Sequence, residues 1–85
     1  MKVLIPSALR SYTQSSQSEA GGSTLDEVLL DLDRQYPGIR FRVIDEQHRV
    51  RRHIRIFVNG VSADSLVLAM QSGDEVVIVQ ALSGG

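Results

Sequence analysis

Apolar and polar residues alternate along two segments of the chain and predict two β-strands. Residues 53–58 read His-Ile-Arg-Ile-Phe-Val, and residues 75–82 read Glu-Val-Val-Ile-Val-Gln-Ala-Leu. Residues two apart lie on the same face of a strand, so Arg55 and Glu75 mark the solvent faces. Asn59-Gly60 follows the first segment and is a strong hairpin signal. Val3-Leu4-Ile5 predicts a third, short strand, which Pro6 ends.

Helical spacing is clearest over residues 24–36. Its apolar stripe recurs at positions Leu25, Val28, Leu29, Leu32 and Tyr36. Thr24 with Glu27 three positions later matches a capping box, which predicts where the helix begins. Pro37-Gly38 predicts where it ends, because the residue before proline avoids the α region.

Three other segments have weaker patterns. The alternation in 39–48 favours a strand, although a short helical turn stays open. Residues 7–18, rich in Ser, Thr and Gln, predict a wide turn with a weak edge strand, and 65–71 predict a short turn of helix. The expected order is strand, weak strand, helix, strand, turn, strand. We therefore predict an α+β fold, a mixed sheet of four to five strands with one main helix on one face.

A single helix covers only one face of such a sheet. The strand periodicity turns four apolar side chains to the opposite face, namely Leu4, Phe57, Val77 and Val79. An exposed apolar patch of this kind marks a protein contact surface. Alternatively, loops 7–18 or 39–50 fold over this face and bury it as a second small core. The sequence leaves both readings open.

Length and composition restrict the function. The 85 residues predict one domain over 1–85, and nine basic against ten acidic residues give a net charge of −1. This balance offers no electrostatic case for nucleic acid or membrane as a partner. The absence of cysteine excludes disulfides, thiolate catalysis and zinc–sulfur sites. With no long apolar run, we expect a cytoplasmic protein.

One basic stretch, residues 48–55, interrupts this balance. Within it Arg51 and Arg52 are candidates for contact with an acidic partner protein, although a solvated loop is the simpler interpretation. His48 and His53 have no third ligand in view, so no metal site is predicted. No pattern of nucleophile and base is present either, which indicates a substrate of catalysis and not a catalyst.

The last residues, Ser83-Gly84-Gly85, change the question of function. Residues 82–85 are expected to form a flexible tail, and they can span about 13–14 Å when extended. Two residues without Cβ atoms make a thin thread that could enter a narrow channel of another protein. Its terminal carboxylate would become reactive only when joined to a nucleotide phosphate. The alternative interpretation is a frayed terminus.

The order of these features resembles the ubiquitin-like β-grasp sulfur carriers typified by MoaD and ThiS. The similarity covers nearly the whole chain and is carried by Lys2-Val3-Leu4-Ile5-Pro6, the helix 24–36, Phe57-Val58-Asn59-Gly60, Gly73-Asp74-Glu75-Val76 and Gly84-Gly85. The resemblance implies that an E1-like enzyme uses ATP to adenylate Gly85. A sulfur donor then forms a thiocarboxylate, and a sulfur-accepting synthase takes the sulfur.

The resemblance also implies the site residues and partners. Gly84 and Gly85 would carry the chemistry, no cofactor would be bound, and ATP would be used by the partner enzyme. Leu82 would join the apolar face and the two arginines in partner contact. If the gene encodes residues beyond Gly85, a processing protease would expose it.

Two departures from the family pattern bear on the pathway. A proline common before the terminal glycines is absent, and residues 40–50 are more basic and strand-like than the usual short helix. Both favour carriers of cysteine or siderophore-type biosynthesis over molybdopterin synthesis. Two other functions stay open: a ubiquitin-like modifier conjugated through Gly85, and a non-catalytic adaptor domain.

Overall fold

The computed structural model describes residues 1–81, in which five strands form one mixed sheet. The strands are β1 (Lys2–Leu4), β2 (Gln17–Glu19), β3 (Ile54–Val58), β4 (Val61–Ser62) and β5 (Glu75–Gln80). Their order across the sheet is β2-β1-β5-β3-β4. The last strand, β5, is central, parallel to β1 and antiparallel to β3. The predicted α+β fold with a mixed sheet is confirmed.

The main helix, α2 (Leu25–Gln35), begins where the capping signal predicts. The Thr24 side-chain oxygen accepts a hydrogen bond of 3.2 Å from the backbone N–H of Glu27. Glu27 reaches back and accepts from the N–H of Ser23 at 2.9 Å, one residue before the usual partner in a capping box. Local side chains therefore bind two backbone N–H groups at the start of α2: that of Glu27 in its first turn and that of Ser23 just before the helix.

The core lies between α2 and one face of the sheet. The helix contributes its apolar stripe, with Leu25, Val28, Leu29 and Leu32 all buried. The sheet contributes the residues that alternation turns inward, namely Val3, Ile5, Ile54, Ile56, Val58, Val76 and Ile78. All of these are at most 9% exposed. The predicted assignment of faces is confirmed for each strand.

The strand expected within 39–48 is wrong. A short helix, α3, spans Ile39–Val43 instead. Ile39 and Val43 are buried while Phe41 is 54% exposed, which fits a four-residue spacing and contradicts a two-residue one. The Asp33 carboxylate accepts hydrogen bonds from the N–H groups of Gly38 and Arg40, and so joins the end of α2 to α3. The strand-like pattern had set residues 40–50 apart from the short helix that is usual in the family. The structure has a short helix there, so this difference from the family is not present.

The helical turn expected within 65–71 is also wrong. The backbone N–H groups of Leu25 and Asp26 have no partner within α2, because they belong to its first turn. They donate instead to the carbonyls of Leu68 and Leu66, at 3.0 and 2.9 Å. Because the carbonyls of Leu66 and Leu68 accept hydrogen bonds from α2, they are not used in a helical turn of their own. The segment forms a simple turn at residues 66–67.

The wide turn at 7–18 contains more structure than the sequence predicts. A 3-10 turn (Ser7–Leu9) leads into a short helix, α1 (Arg10–Thr13), before the predicted edge strand β2. Leu9 and Thr13 are buried, and the Thr13 hydroxyl donates to the carbonyl of Ser15 at 2.7 Å. A segment with few apolar residues is thus ordered by one core leucine and local side-chain hydrogen bonds.

The predicted hairpin at Asn59-Gly60 is present and joins β3 to β4. Both residues have positive φ, 52° and 83°, which a two-residue turn of this hand requires. The Asn59 amide also donates to Asp74 at 2.9 Å, and its oxygen accepts from the N–H of Glu75 at 3.0 Å. One asparagine therefore fixes the turn and ties it to the start of β5.

Thr24→Ala should lower the free energy of unfolding by about 1 kcal/mol, because it removes the acceptor of the Glu27 N–H. Thr24→Ser keeps that acceptor and should stay close to the parent protein. Chemical denaturation of the three proteins measures the difference. Equal losses in both variants would contradict a capping role for the hydroxyl.

The carboxylate of Asp74 should make stability depend on pH. The N–H of Gln71 and the amide of Asn59 donate to it and hold the pKa of Asp74 below its ordinary value. A lowered folded-state pKa adds stability above the unfolded-state pKa, and this stability is lost as pH falls through the folded-state value. The parent should therefore be more stable than Asp74→Ala at about pH 6, and this difference in the free energy of unfolding should become smaller as the pH is lowered.

Asp64→Ala is the control for this experiment. Asp64 is exposed and its carboxylate accepts no hydrogen bond from residues 1–81, so its replacement by alanine should change the free energy of unfolding little. Denaturation curves at several pH values measure both differences in the free energy of unfolding. The same dependence on pH in Asp74→Ala and Asp64→Ala would contradict the role given to Asp74.

Candidate functional site

The two glycines expected to carry the chemistry, Gly84 and Gly85, lie outside the described residues, as does Leu82. The structure instead fixes the point from which they continue. The N–H of Ala81, directly after β5, donates to the carbonyl of His53 at 2.8 Å. Ala81 thus lies at the end of the sheet where β3 begins. Among residues 1–81 this last part of β5 pairs with β3 and not with β1, whose ladder ends at Val77.

The outer face of the sheet carries the apolar residues predicted for it. Val77 is flanked in register by Leu4 on β1 and by Phe57 on β3. All three are half-buried, and Val79, nearer the end of β5, is 39% exposed. None of the four belongs to the buried core. The alternative in which loops 7–18 or 39–50 bury them as a second core is wrong.

Charged residues bound this face at the end remote from Ala81. Lys2 and Glu75, paired in register at the start of β5, form an ion pair of 3.7 Å between two half-exposed side chains. Glu19 lies beside Lys2 on β2 and contacts the amino terminus at 3.4 Å. The outer face is therefore charged where β5 begins and apolar along the middle of β5, and Arg55 lies opposite Val79 toward its end.

The two arginines singled out in the basic stretch differ in their surroundings. Arg51 is half-buried: its guanidinium lies 4.6 Å from the centre of the Phe41 ring, and its Nε donates to the Phe41 carbonyl at 2.7 Å. Arg52 is exposed, and its carbonyl accepts a hydrogen bond of 3.0 Å from the Arg55 guanidinium, while its own guanidinium donates to no acceptor among residues 1–81. Arg51 is thus held in position by α3, while Arg52 is not.

A hollow of about 260 Å³ lies beside the end of β5 and was not predicted from the sequence. It is lined by Phe41, Arg42, Arg51, His53 and Gln80, and we call it the tail-root hollow. Arg42 lines this hollow because it lies on α3. The strand predicted over 39–48 would have given its side chain a different direction. The hollow lies next to the Ala81–His53 hydrogen bond.

The described residues offer little to catalysis. Within residues 1–81 no three potential ligands among His, Cys, Asp and Glu are grouped to hold a metal ion. Their buried side-chain nitrogen and oxygen atoms all have hydrogen-bond partners, so none of these atoms is unpaired and available to bind a substrate. The pKa of Asp45 is lowered chiefly by the Arg49 N–H that its carboxylate accepts, in a loop where it also binds the Gln47 N–H. That carboxylate holds a loop together.

No helix among the described residues is both long and apolar enough to cross a bilayer.

Comparison with known proteins identifies relatives along the full length of the chain. The model of the ThiS family matches residues 3–85. The sulfur carrier protein CysO of Mycobacterium tuberculosis is 36% identical over 89 residues, which cover 98% of this chain and 96% of the relative.

Solved structures agree with the sequence match. The complex of BexX and CysO from Amycolatopsis orientalis contains a chain similar to this one with a TM-score of 0.89 and 31% identity, covering 99% of this chain and 98% of that one. The small archaeal modifier protein SAMP1 of Haloferax volcanii has a TM-score of 0.80 and 26% identity, with 100% and 98% covered. The β-grasp fold and the resemblance seen in the sequence are both confirmed, and the chain belongs to the ThiS family.

Proposed function

We propose that this chain is a sulfur carrier whose acting group is the carboxylate of Gly85. The observation that carries the proposal is the family match through residue 85, which includes the terminal glycine pair. A relative that is 36% identical over nearly the whole chain is named a sulfur carrier. The chain is accordingly a substrate and carrier, and its partner enzymes perform the catalysis.

The chemistry starts from a group that does not react by itself. An E1-like enzyme would direct an oxygen of the Gly85 carboxylate at the α-phosphorus of ATP, with pyrophosphate as the leaving group. A sulfur nucleophile of the donor then attacks the carbonyl carbon of the acyl-adenylate, and AMP leaves. A donor that supplies sulfide gives the thiocarboxylate directly once the S–H proton is lost. A donor persulfide gives an acyl disulfide, and a thiol must then reduce its S–S bond to release the thiocarboxylate. Since ATP would be bound by the enzyme, we propose that this chain needs no cofactor of its own, and we keep the cytoplasm as its expected location.

The absence of cysteine supports this scheme. A thiolate on the carrier could attack the acyl-adenylate or form a disulfide with the sulfur donor. In a chain without thiols, the terminal carbonyl is the one position proposed to carry transferable sulfur, because the thioethers of its two methionines do not exchange sulfur. The sulfur-accepting synthase then receives sulfur from one defined atom.

The apolar outer face is the proposed docking surface for the activating enzyme. Val77 and Val79 lie on β5 itself, so a partner that contacts them sits beside the strand that leads to Gly85. Leu82 would extend this apolar contact from the sheet toward the glycines. Binding there would bury side chains that are exposed or half-buried in the free carrier.

The acceptor pathway is proposed to be of the cysteine type. The relatives that support this are named CysO, and one of them is described in a complex with BexX. A synthase that takes sulfur from a protein thiocarboxylate is therefore the expected second partner.

Conjugation to other proteins is the second candidate, and the similarity to SAMP1 is what favours it. That similarity is lower, with a TM-score of 0.80 against 0.89 for the carrier structure. The chain has a single lysine, Lys2, whose ammonium pairs with Glu75, which argues against chains built on internal lysines. The carrier function is the better supported of the two.

Incubation with the activating enzyme of the same organism, ATP and a sulfur source should exchange one carboxylate oxygen of Gly85 for sulfur. Intact-protein mass spectrometry measures the gain, and fragmentation places it on the last residue. Gly85→Ala should be activated more slowly, since the added Cβ thickens the thread, with thermal unfolding as the check that the domain is intact. An unchanged mass, or Gly-Gly remnants on lysines of other proteins, would contradict the carrier function.

Replacing Val77 and Val79 together by serine should raise the KM of adenylation about tenfold, because the apolar area buried on docking is reduced. The matched control replaces Val61 and Val67, two valines that are 69% and 80% exposed and lie away from the outer face. Steady-state kinetics with the activating enzyme gives both values. Similar KM values for the two double variants would exclude this face from docking.

A further inference from the structure

Positive charge is concentrated in one part of this nearly neutral chain. Residues 40–55 contain six of the eight arginines but only two of the ten acidic residues, a formal charge of +4. The rest of the chain, with three basic and eight acidic residues, carries −5. The net charge of −1 therefore conceals a strongly polarised molecule.

The basic segment lies where the final residues leave the domain. The tail-root hollow places Arg42 and Arg51 beside Gln80, the last residue of β5. The Ala81 N–H is held by His53 of the same segment. The opposite end of β5 begins with the acidic pair Asp74 and Glu75. Charge thus changes sign along the strand that carries the tail.

The arginines around the hollow lack acidic partners within the described part of the chain. In residues 1–81 Arg34 pairs with Asp31 and Arg40 pairs with Asp26. No carboxylate in this range lies within 4.0 Å of the guanidinium groups of Arg42, Arg49, Arg51, Arg52 or Arg55. The segment contains two acidic residues. The Asp45 carboxylate accepts from loop N–H groups, and the nearby charges of Arg51 and Arg49 help to lower its pKa, but neither Asp45 nor Glu46 forms an ion pair within residues 1–81.

Arg51 is prepared to bind a carboxylate. Its Nε is used by the Phe41 carbonyl and its guanidinium is held on the Phe41 ring. Its two Nη groups donate to no acceptor in residues 1–81. A guanidinium already fixed by packing loses less conformational entropy on pairing, and its donors match the two oxygens of a carboxylate.

We propose that the tail-root hollow, together with the adjoining Arg52, binds carboxylate side chains of the activating enzyme at the mouth of the channel that receives the tail. The inference rests on the carrier function proposed above and adds the chemistry of the partner surface. Attraction at the hollow and repulsion from the acidic remainder would orient the carrier with its last strand toward the enzyme.

A protein is favoured over a nucleic acid as the occupant. A phosphate backbone would be repelled by the −5 charge on the rest of so small a domain. The arginines also surround the root of the segment that must reach an enzyme, so an acidic protein surface there serves the same encounter.

The test is adenylation kinetics with the activating enzyme of the same organism and ATP, at salt concentrations from about 50 to 300 mM. The Arg42→Gln/Arg52→Gln variant removes two exposed charges and spares the Arg51–Phe41 packing. Its kcat/KM should be about tenfold lower than that of the parent at low salt, with kcat retained and a weaker salt dependence. Arg51→Gln should act in the same direction, with thermal unfolding measured alongside.

The matched control is Arg34→Gln, compared with Arg52→Gln alone. Each variant removes one positive charge at an exposed side chain, and Arg34 lies on α2, outside both the basic segment and the outer face. The kcat/KM of Arg34→Gln should stay within about twofold of the parent value. If Arg34→Gln and Arg52→Gln behave alike while the parent is activated, the hollow proposal is overturned and the carrier function stands.

Two further outcomes would also overturn the hollow proposal. Failure of the parent itself to be adenylated would overturn the carrier function on which it rests. Tight binding of a single-stranded oligonucleotide that is lost in Arg42→Gln/Arg52→Gln, with adenylation unaffected, would assign the arginines to nucleic acid.

Discussion

The hydrogen-bonded ladders on both sides of β5 are the constraint on which the rest of this structure depends. The strand closest to the carboxyl terminus is also the central one, parallel to β1 and antiparallel to β3. A terminal strand at a sheet edge would fray easily. A central strand cannot leave without breaking two ladders. The ladder with β1 holds residues 75–77 of β5, and the ladder with β3 holds residues 76–80, so pairing with β3 fixes the point from which the final residues continue.

The same strand also links the core to the surface. Alternation along β5 sends Val76 and Ile78 under α2 and turns Val77 and Val79 to the outer face. Its far end lies against the tail-root hollow. The buried core, the apolar outer face and the tail-root hollow therefore all border the six residues of β5, and a partner bound at either of the two proposed surfaces would lie beside the strand that precedes the final residues.

The sequence predicted the parts of the molecule that depend on local pattern. Two-residue alternation gave the faces of the strands, and Thr24 with Glu27 gave the start of α2, because these signals act within a few residues. The 39–48 and 65–71 segments were misread because long-range contacts decide them: α3 packs Ile39 and Val43 into the core, and Leu66 and Leu68 give their carbonyls to α2. The tail-root hollow escaped prediction because its residues come from three distant segments.

The measurement that tests the central claim most directly is the structure of this chain bound to its activating enzyme with ATP. The account predicts that the Gly85 carboxylate lies in line with the α-phosphate while β5 keeps both of its ladders. A complex in which the enzyme contacts another surface and the terminal carboxylate stays remote from the nucleotide would contradict it.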